Sequence, residues 1–124
     1  MDKLLFIVDD NDSNLTVLAG IFENDYKVLT MPSATKMFNL LKKKIPDLII
    51  IDVEMPDING FTAISMLKEN EEWKNIPTIV VTGWVTEEIK QQAKELGSFG
   101  VISKPFSIQE IKECVSQCMN GVLV

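Results

Sequence analysis

A chain of 124 residues has room for one compact core and not two, and 46% apolar with 24% charged residues is the balance of a globular protein rather than a disordered or fibrous one. The net charge of −6, with no basic cluster beyond Lys42 to Lys44, excludes a nucleic-acid footprint. The lack of any histidine excludes histidine metal sites, Ser-His-Asp catalysis and phosphohistidine formation on this chain, leaving carboxylates, lysine and hydroxyls to carry the chemistry.

In chain order, short apolar runs alternate with segments of helical period. The first run, Lys3 to Val8, predicts a strand, followed by a helical stripe at Leu15, Leu18, Ala19 and Phe22. Lys27 to Met31 predicts a second strand, and Ala34, Met37, Phe38 and Leu41 a second stripe. Asp47 to Ile51 is a third strand, with Phe61, Ile64 and Leu67 on the helix after it. Pro77 to Thr82 is a fourth. The first, third and fourth are apolar enough to be buried on both faces, which places them at the centre of a sheet.

Thr86 is predicted to cap a helix that carries Glu87 and Glu88 in its first turn, turns Ile89, Ala93 and Leu96 inward and stops at Gly97. A fifth strand runs from Gly100 to Ser103. The last helix opens on a capping box, Ser107 to Glu110, and is predicted to carry Ile108, Ile111, Val115 and Cys118 inward. Cys114 and Cys118, four apart on that helix, are expected to be free thiols.

The alternation predicts an α/β fold: five βα units doubly wound into a three-layer sandwich, filling a single domain over residues 1–124 with a core of about 3–119. Met1 reads as a true N-terminus, and the chain ends on Gly121 to Val124 soon after the last helix. The longest apolar stretches, Leu4 to Val8 and Leu48 to Ile51, are too short to span a bilayer, and the N-terminus lacks the regions of a signal peptide. The expectation is a cytoplasmic protein without membrane contact.

Polar residues gather where the predicted strands end: Asp9 and Asp10, Asp52, Thr82, and Lys104. In an open parallel sheet, ligands bind beyond the carboxyl ends of the strands, where strand order reverses. Carboxylates meeting there repel one another and call for a hard cation such as Mg²⁺, while Lys104 adds a fixed positive charge. Such a site can bring a phosphoryl group to a carboxylate, because metal and ammonium neutralise the transferring oxygens as the carboxylate attacks in line.

These residues resemble the receiver domains of two-component response regulators, from Lys3 to about Met119. The stretch Val8 to Asn11 is similar to the family's acidic pair. The stretch from Asp52 through Met55 and Pro56 to Gly60 is similar to its phosphoacceptor loop, Val81 to Gly83 to its hydroxyl position, and Lys104 to Phe106 to its lysine-proline turn.

The resemblance implies a flavodoxin-like parallel sheet of order 2-1-3-4-5 and a signalling role rather than that of a general enzyme. Asp52 would take phosphate from a sensor histidine kinase or phosphotransfer protein. Mg²⁺ would sit on Asp10, Asp52 and the Glu54 carbonyl, with Asp9 assisting through water. Thr82 and Lys104 would each bond a phosphoryl oxygen. It further implies a cis Lys104-Pro105 bond and an output or homodimer surface on the fourth helix, fifth strand and fifth helix.

Two positions depart from the family. Val101 stands where many members carry a switching aromatic ring, and Trp84 stands where small or polar residues are common. Trp84 is expected to serve packing or partner contact, or, with Glu54, to flank the route of water to the phosphate. Competing readings fit less well. Leu15 and Ile21 break a calcium loop begun at Asp10. A haloacid-dehalogenase-like phosphatase could use Asp10 and Asp12 but leaves Asp52 and Lys104 unexplained. A flavodoxin-like carrier would place a cofactor phosphate against acids. A pseudo-receiver kept only for docking would not need the full acidic set.

Overall fold

The computed structural model describes residues 3–120; Met1 and the stretch Gly121 to Val124, and with them the outer limits predicted for the domain, lie outside it. Ten elements alternate along the chain: β1 (Leu4–Val8), α1 (Asp12–Phe22), β2 (Lys27–Met31), α2 (Ala34–Leu41), β3 (Leu48–Asp52), α3 (Gly60–Lys68), β4 (Thr78–Thr82), α4 (Glu87–Glu95), β5 (Gly100–Ser103) and α5 (Ile108–Met119). The strands form one parallel sheet of order β2-β1-β3-β4-β5, which is the predicted topology. Strands β1, β3 and β4 begin one residue later than the sequence suggests, and β3 runs one residue further, so that Asp52 closes it.

Alternation along the strands builds two cores. Leu5 and Ile7 of β1 and Leu48 and Ile50 of β3 pack on one side with Leu15, Leu18 and Phe22 of α1 and Ile111, Val115 and Met119 of α5. Phe6, Val8, Ile49 and Ile51 point the other way, onto Met37 of α2, Phe61, Ile64 and Leu67 of α3, and Ala93 of α4. Helices therefore cover both faces, which is why β3 and β4 are buried at every residue.

The helix ends follow local chemistry. Asn11, Ser33, Asn59, Thr86 and Ser107 cap the five N-termini, each side chain accepting a backbone N–H of the first turn. Beyond the α4 cap residue Leu96, Gly97 takes φ +76, a left-handed conformation that favours glycine.

One inward assignment on the last helix needs correction. Ile108 is 58% exposed, because as the first residue of α5 it overhangs the sheet instead of lying on it. Cys118 faces inward as expected, half-buried against the α1/α5 core. Both cysteines are free thiols, as expected, and burial pushes Cys114 upward in pKa and Cys118 up to about 11.

Candidate functional site

The chain leaves β1 in one direction toward β2 and enters β3 on the other side, so strand order reverses between β1 and β3. Asp9 follows β1 directly and Asp52 ends β3, which puts their carboxylates into that crevice. Asp9, Asp10 and Asp52 can each offer an oxygen with all three within 4.8 Å of one another. Asp9 and Asp52 are buried and Asp10 is exposed. Lys104, whose backbone N–H donates to the Thr82 carbonyl, reaches across from the β5 end: its Nζ lies 3.1 Å from Asp9 Oδ2 and 3.2 Å from Asp52 Oδ2. Its peptide to Pro105 is cis.

The electrostatics are those of an overcrowded acidic pocket. Burial, then the charge of Asp9, pushes the Asp52 carboxyl from 3.8 up to about 6, against the opposing pull of Lys104 and the Glu54 N–H. Burial of Lys104 works against its charge, yet Asp52 and Asp9 outweigh it and hold the ammonium above its ordinary value. Two buried carboxylates share one ammonium beside an exposed third, a donor set of hard oxygens with excess negative charge that fits a small divalent cation.

Neighbouring residues hold the acids in place. Asp9 Oδ1 accepts the Asn11 N–H at 2.9 Å, and its Oδ2 accepts the Asn14 amide at 3.3 Å. The Glu54 N–H donates to Asp52 Oδ1 at 3.3 Å. Gly60 N–H donates to the Val53 carbonyl at 2.8 Å, and a Cβ there would run into the Asp52 carbonyl oxygen and lie 2.9 Å from Val53 Cα. Glycine at 60 is thus what lets the start of α3 close on the backbone of Asp52. Asp57 braces the same loop by accepting both the N–H and the hydroxyl of Thr35, each at 2.9 Å.

Thr82, fully buried, stands at the end of β4 next to β3, in which Asp52 pairs with Val81. Its hydroxyl donates to Glu54 Oε2 at 3.1 Å and accepts the Trp84 N–H at 3.2 Å. The Glu54 side chain therefore faces the threonine, a role that the sequence reading did not assign. Trp84 is 73% exposed, which removes core packing from the roles expected of it and leaves partner contact and shielding of the site. Val101 is half-buried in β5, in register with Val80. Asp12, the acid needed by the phosphatase reading, opens α1 on the surface and lies outside the three-acid cluster.

Residues 5–116 match the response regulator receiver domain family. The chain belongs to that family. Receiver relatives include the polar-differentiation response regulator DivK of Brucella ovis, 29% identical over 93% of this chain and 94% of its own. Among solved structures, the signal receiver domain of a signal transduction histidine kinase from Syntrophus aciditrophicus is 26% identical with a TM-score of 0.87, covering 97% of this chain and 92% of that one. The chemotaxis protein CheY4 of Vibrio cholerae, at 24% identity and 95% and 99% coverage, shares the receiver fold with a TM-score of 0.89. No helix among the described residues of this receiver is long and apolar enough to cross a membrane.

Two residues at the receiver site were missed as contributors, Asn14 and Gly60 as a steric requirement, and so was the contact of the Glu54 carboxylate with Thr82. Asn14 lies one helical turn past the acidic pair, a spacing that could have flagged it. The Glu54 contact spans 28 positions and leaves no local mark in the sequence.

Proposed function

We propose that this receiver is a phosphorylation-dependent switch in which Asp52 accepts a phosphoryl group from a sensor histidine kinase or phosphotransfer protein. The observation that carries the reading is the meeting of Asp9, Asp10 and Asp52 with Lys104 bridging two of them. An Asp52 oxygen forms the new P–O bond as the donor's P–N bond breaks and the donor imidazole keeps the electron pair. Lys104 turns from the carboxylates toward one phosphoryl oxygen, and the Thr82 hydroxyl toward another.

Asp10, Asp52 and the Glu54 carbonyl would hold Mg²⁺, with Asp9 assisting through water. Bound there, the cation offsets the charge that builds on the transferring oxygens and lowers the repulsion among the acids. The chain catalyses its own phosphorylation and dephosphorylation only, without turnover of an outside substrate.

In this reading, residues 1–124 form a single domain that works in the cytoplasm, and output passes through α4, β5 and α5 to a partner or a second copy. Exposed Trp84, Phe99 and Ile108 lie in or beside those elements and suit protein contact. Nucleic acid does not bind this domain.

Incubation with a small phosphodonor and Mg²⁺ tests the assignment. Intact mass should rise by one labile phosphoryl group in the parent, and Asp52→Asn should reduce uptake by at least about a hundredfold, a loss of roughly 2.7 kcal/mol in transition-state stabilisation. Uptake by Asp52→Asn at the parental rate, with parental circular dichroism, would overturn it.

A further inference from the structure

A hydroxyl has one proton to give. In this structure the Thr82 proton goes to Glu54 Oε2 at 3.1 Å, and the hydroxyl oxygen accepts the N–H of Trp84 at 3.2 Å. The group expected to meet a phosphoryl oxygen is thus already engaged on both sides. Glu54 is also tied to the acceptor itself, because its own N–H donates to Asp52 Oδ1. Its carboxylate lies outside the cluster of Asp9, Asp10 and Asp52 and is held through Thr82, while Lys104 reaches only Asp9 and Asp52.

We propose that Glu54 is a latch: its carboxylate holds the Thr82 hydroxyl in the resting position and must be displaced before that hydroxyl can serve a phosphoryl oxygen. The proposal rests on Asp52 being the phosphoacceptor. A phosphoryl group on Asp52 brings nearly two negative charges and three acceptor oxygens close to Glu54. Repulsion drives the glutamate out toward solvent, to which it is already exposed, while the new acceptor takes the threonine proton. As the Thr82 side chain shifts to bring its oxygen toward the phosphoryl group, the Trp84 N–H loses its acceptor, so the loop into α4 is released by the same event. Glu54 is therefore a positioning residue that sets the threshold of the switch: it slows phosphorylation and keeps the Trp84 loop in its resting arrangement.

Trp84 reports the state of the latch. It is 73% exposed and two residues past Thr82, whereas the chain's other tryptophan, Trp73, is half-buried with its ring centroid 5.7 Å from that of Phe38 and supplies a constant background. The experiment compares the parent, Glu54→Ala, Glu54→Gln, Thr82→Val and the double variant Glu54→Ala/Thr82→Val, using a small phosphodonor with Mg²⁺. It reads the rate of uptake by intact mass and tryptophan emission before and after.

Glu54→Ala should be phosphorylated about three- to tenfold faster, and its emission before phosphorylation should already move toward that of the phosphorylated parent. Glu54→Gln keeps an acceptor for Thr82 but loses the charge, so it should keep parental resting emission with a smaller gain in rate. In the Thr82→Val background the gain from Glu54→Ala should largely vanish.

A rate for Glu54→Ala within twofold of the parent, with unchanged emission, overturns the latch and leaves the phosphoacceptor intact. A full gain that persists without the Thr82 hydroxyl also overturns it, because the glutamate would then act by charge alone. No uptake by the parent overturns the receiver chemistry and the latch together.

Discussion

Helices α3 and α4 are each nine residues long and each follows a strand that ends at the site, yet they are held in different ways. Helix α3 buries Gly60, Phe61, Ala63, Ile64 and Leu67, while α4 buries Ala93 alone, with Ile89 and Leu96 half-covered. The cause is composition: the run from Phe61 to Leu67 is mainly apolar, whereas Glu87 to Glu95 alternates acids, lysines and glutamines around a few inward positions. Helix α4 relies on its ends, through the Thr86 cap, the acids of its first turn and Lys94 in its last. Asp52, the proposed acceptor, thus belongs to a stiff frame, closed by Gly60, while Thr82 leads into the helix with least burial to lose. Local opening is easiest where few apolar contacts hold an element, so α4 is the neighbour least held against a change of charge at the site.

The largest effect that can break this contrast comes from truncating one buried side chain in each helix. Ile64→Ala should cost about 3 kcal/mol, the usual range for removing a fully buried isoleucine. Ala93→Gly should cost about 1 kcal/mol, chiefly through helix propensity. Urea unfolding without divalent cation measures both. Equal costs would mean that α4 is anchored as firmly as α3, and the asymmetry would have no energetic content.

A second, somewhat smaller effect separates the acid pocket from the rest of the frame. The folded protein raises the Asp52 carboxyl from 3.8 to about 6, so between those values the folded state binds the proton more tightly than the unfolded chain. Stability from this group is therefore full below about pH 4 and is lost as pH rises through 6. The shift corresponds to roughly 3 kcal/mol. Asp52→Asn, which cannot ionise, should be more stable than the parent by about 2–3 kcal/mol at pH 7.5 without Mg²⁺, and the gain should disappear near pH 4. Chemical denaturation at the two pH values is the measurement. A gain of equal size at both would mean that packing, not charge, is the source.

Much of this frame could be read from the residues. The central strands announced themselves because burial on both faces demands continuous apolar runs, as in Leu48 to Ile51. Thr86, Ser107 and Gly97 marked helix ends because caps and left-handed residues are local chemistry. Convergence of Asp9, Asp10, Asp52 and Lys104 followed from one rule about strand ends, though β3 had to extend by a residue to include Asp52. What escaped depended on the third dimension. Ile108 has helical period but no sheet beneath it, Trp84 is apolar yet projects outward, and the Glu54 contact with Thr82 depends on a side-chain rotamer joining two loops.

The smallest predicted effect is also the most local, and it tests whether α4 is truly held by its ends. The Thr86 hydroxyl accepts the Ile89 N–H at 3.1 Å, and loss of such a cap costs about 1 kcal/mol. In a helix with deep burial that loss would be spread over the whole fold. In α4 it should fall on the helix itself: native-state hydrogen exchange of Thr86→Ala should quicken about fivefold for the amides of α4 that exchange by local opening. Those of α3, exchanging only through larger unfolding, should speed up by no more than the change in global stability measured on the same sample. Equal acceleration in the two helices would show that α4 opens with the core, and release of the loop after Thr82 would then have to move the sheet as well.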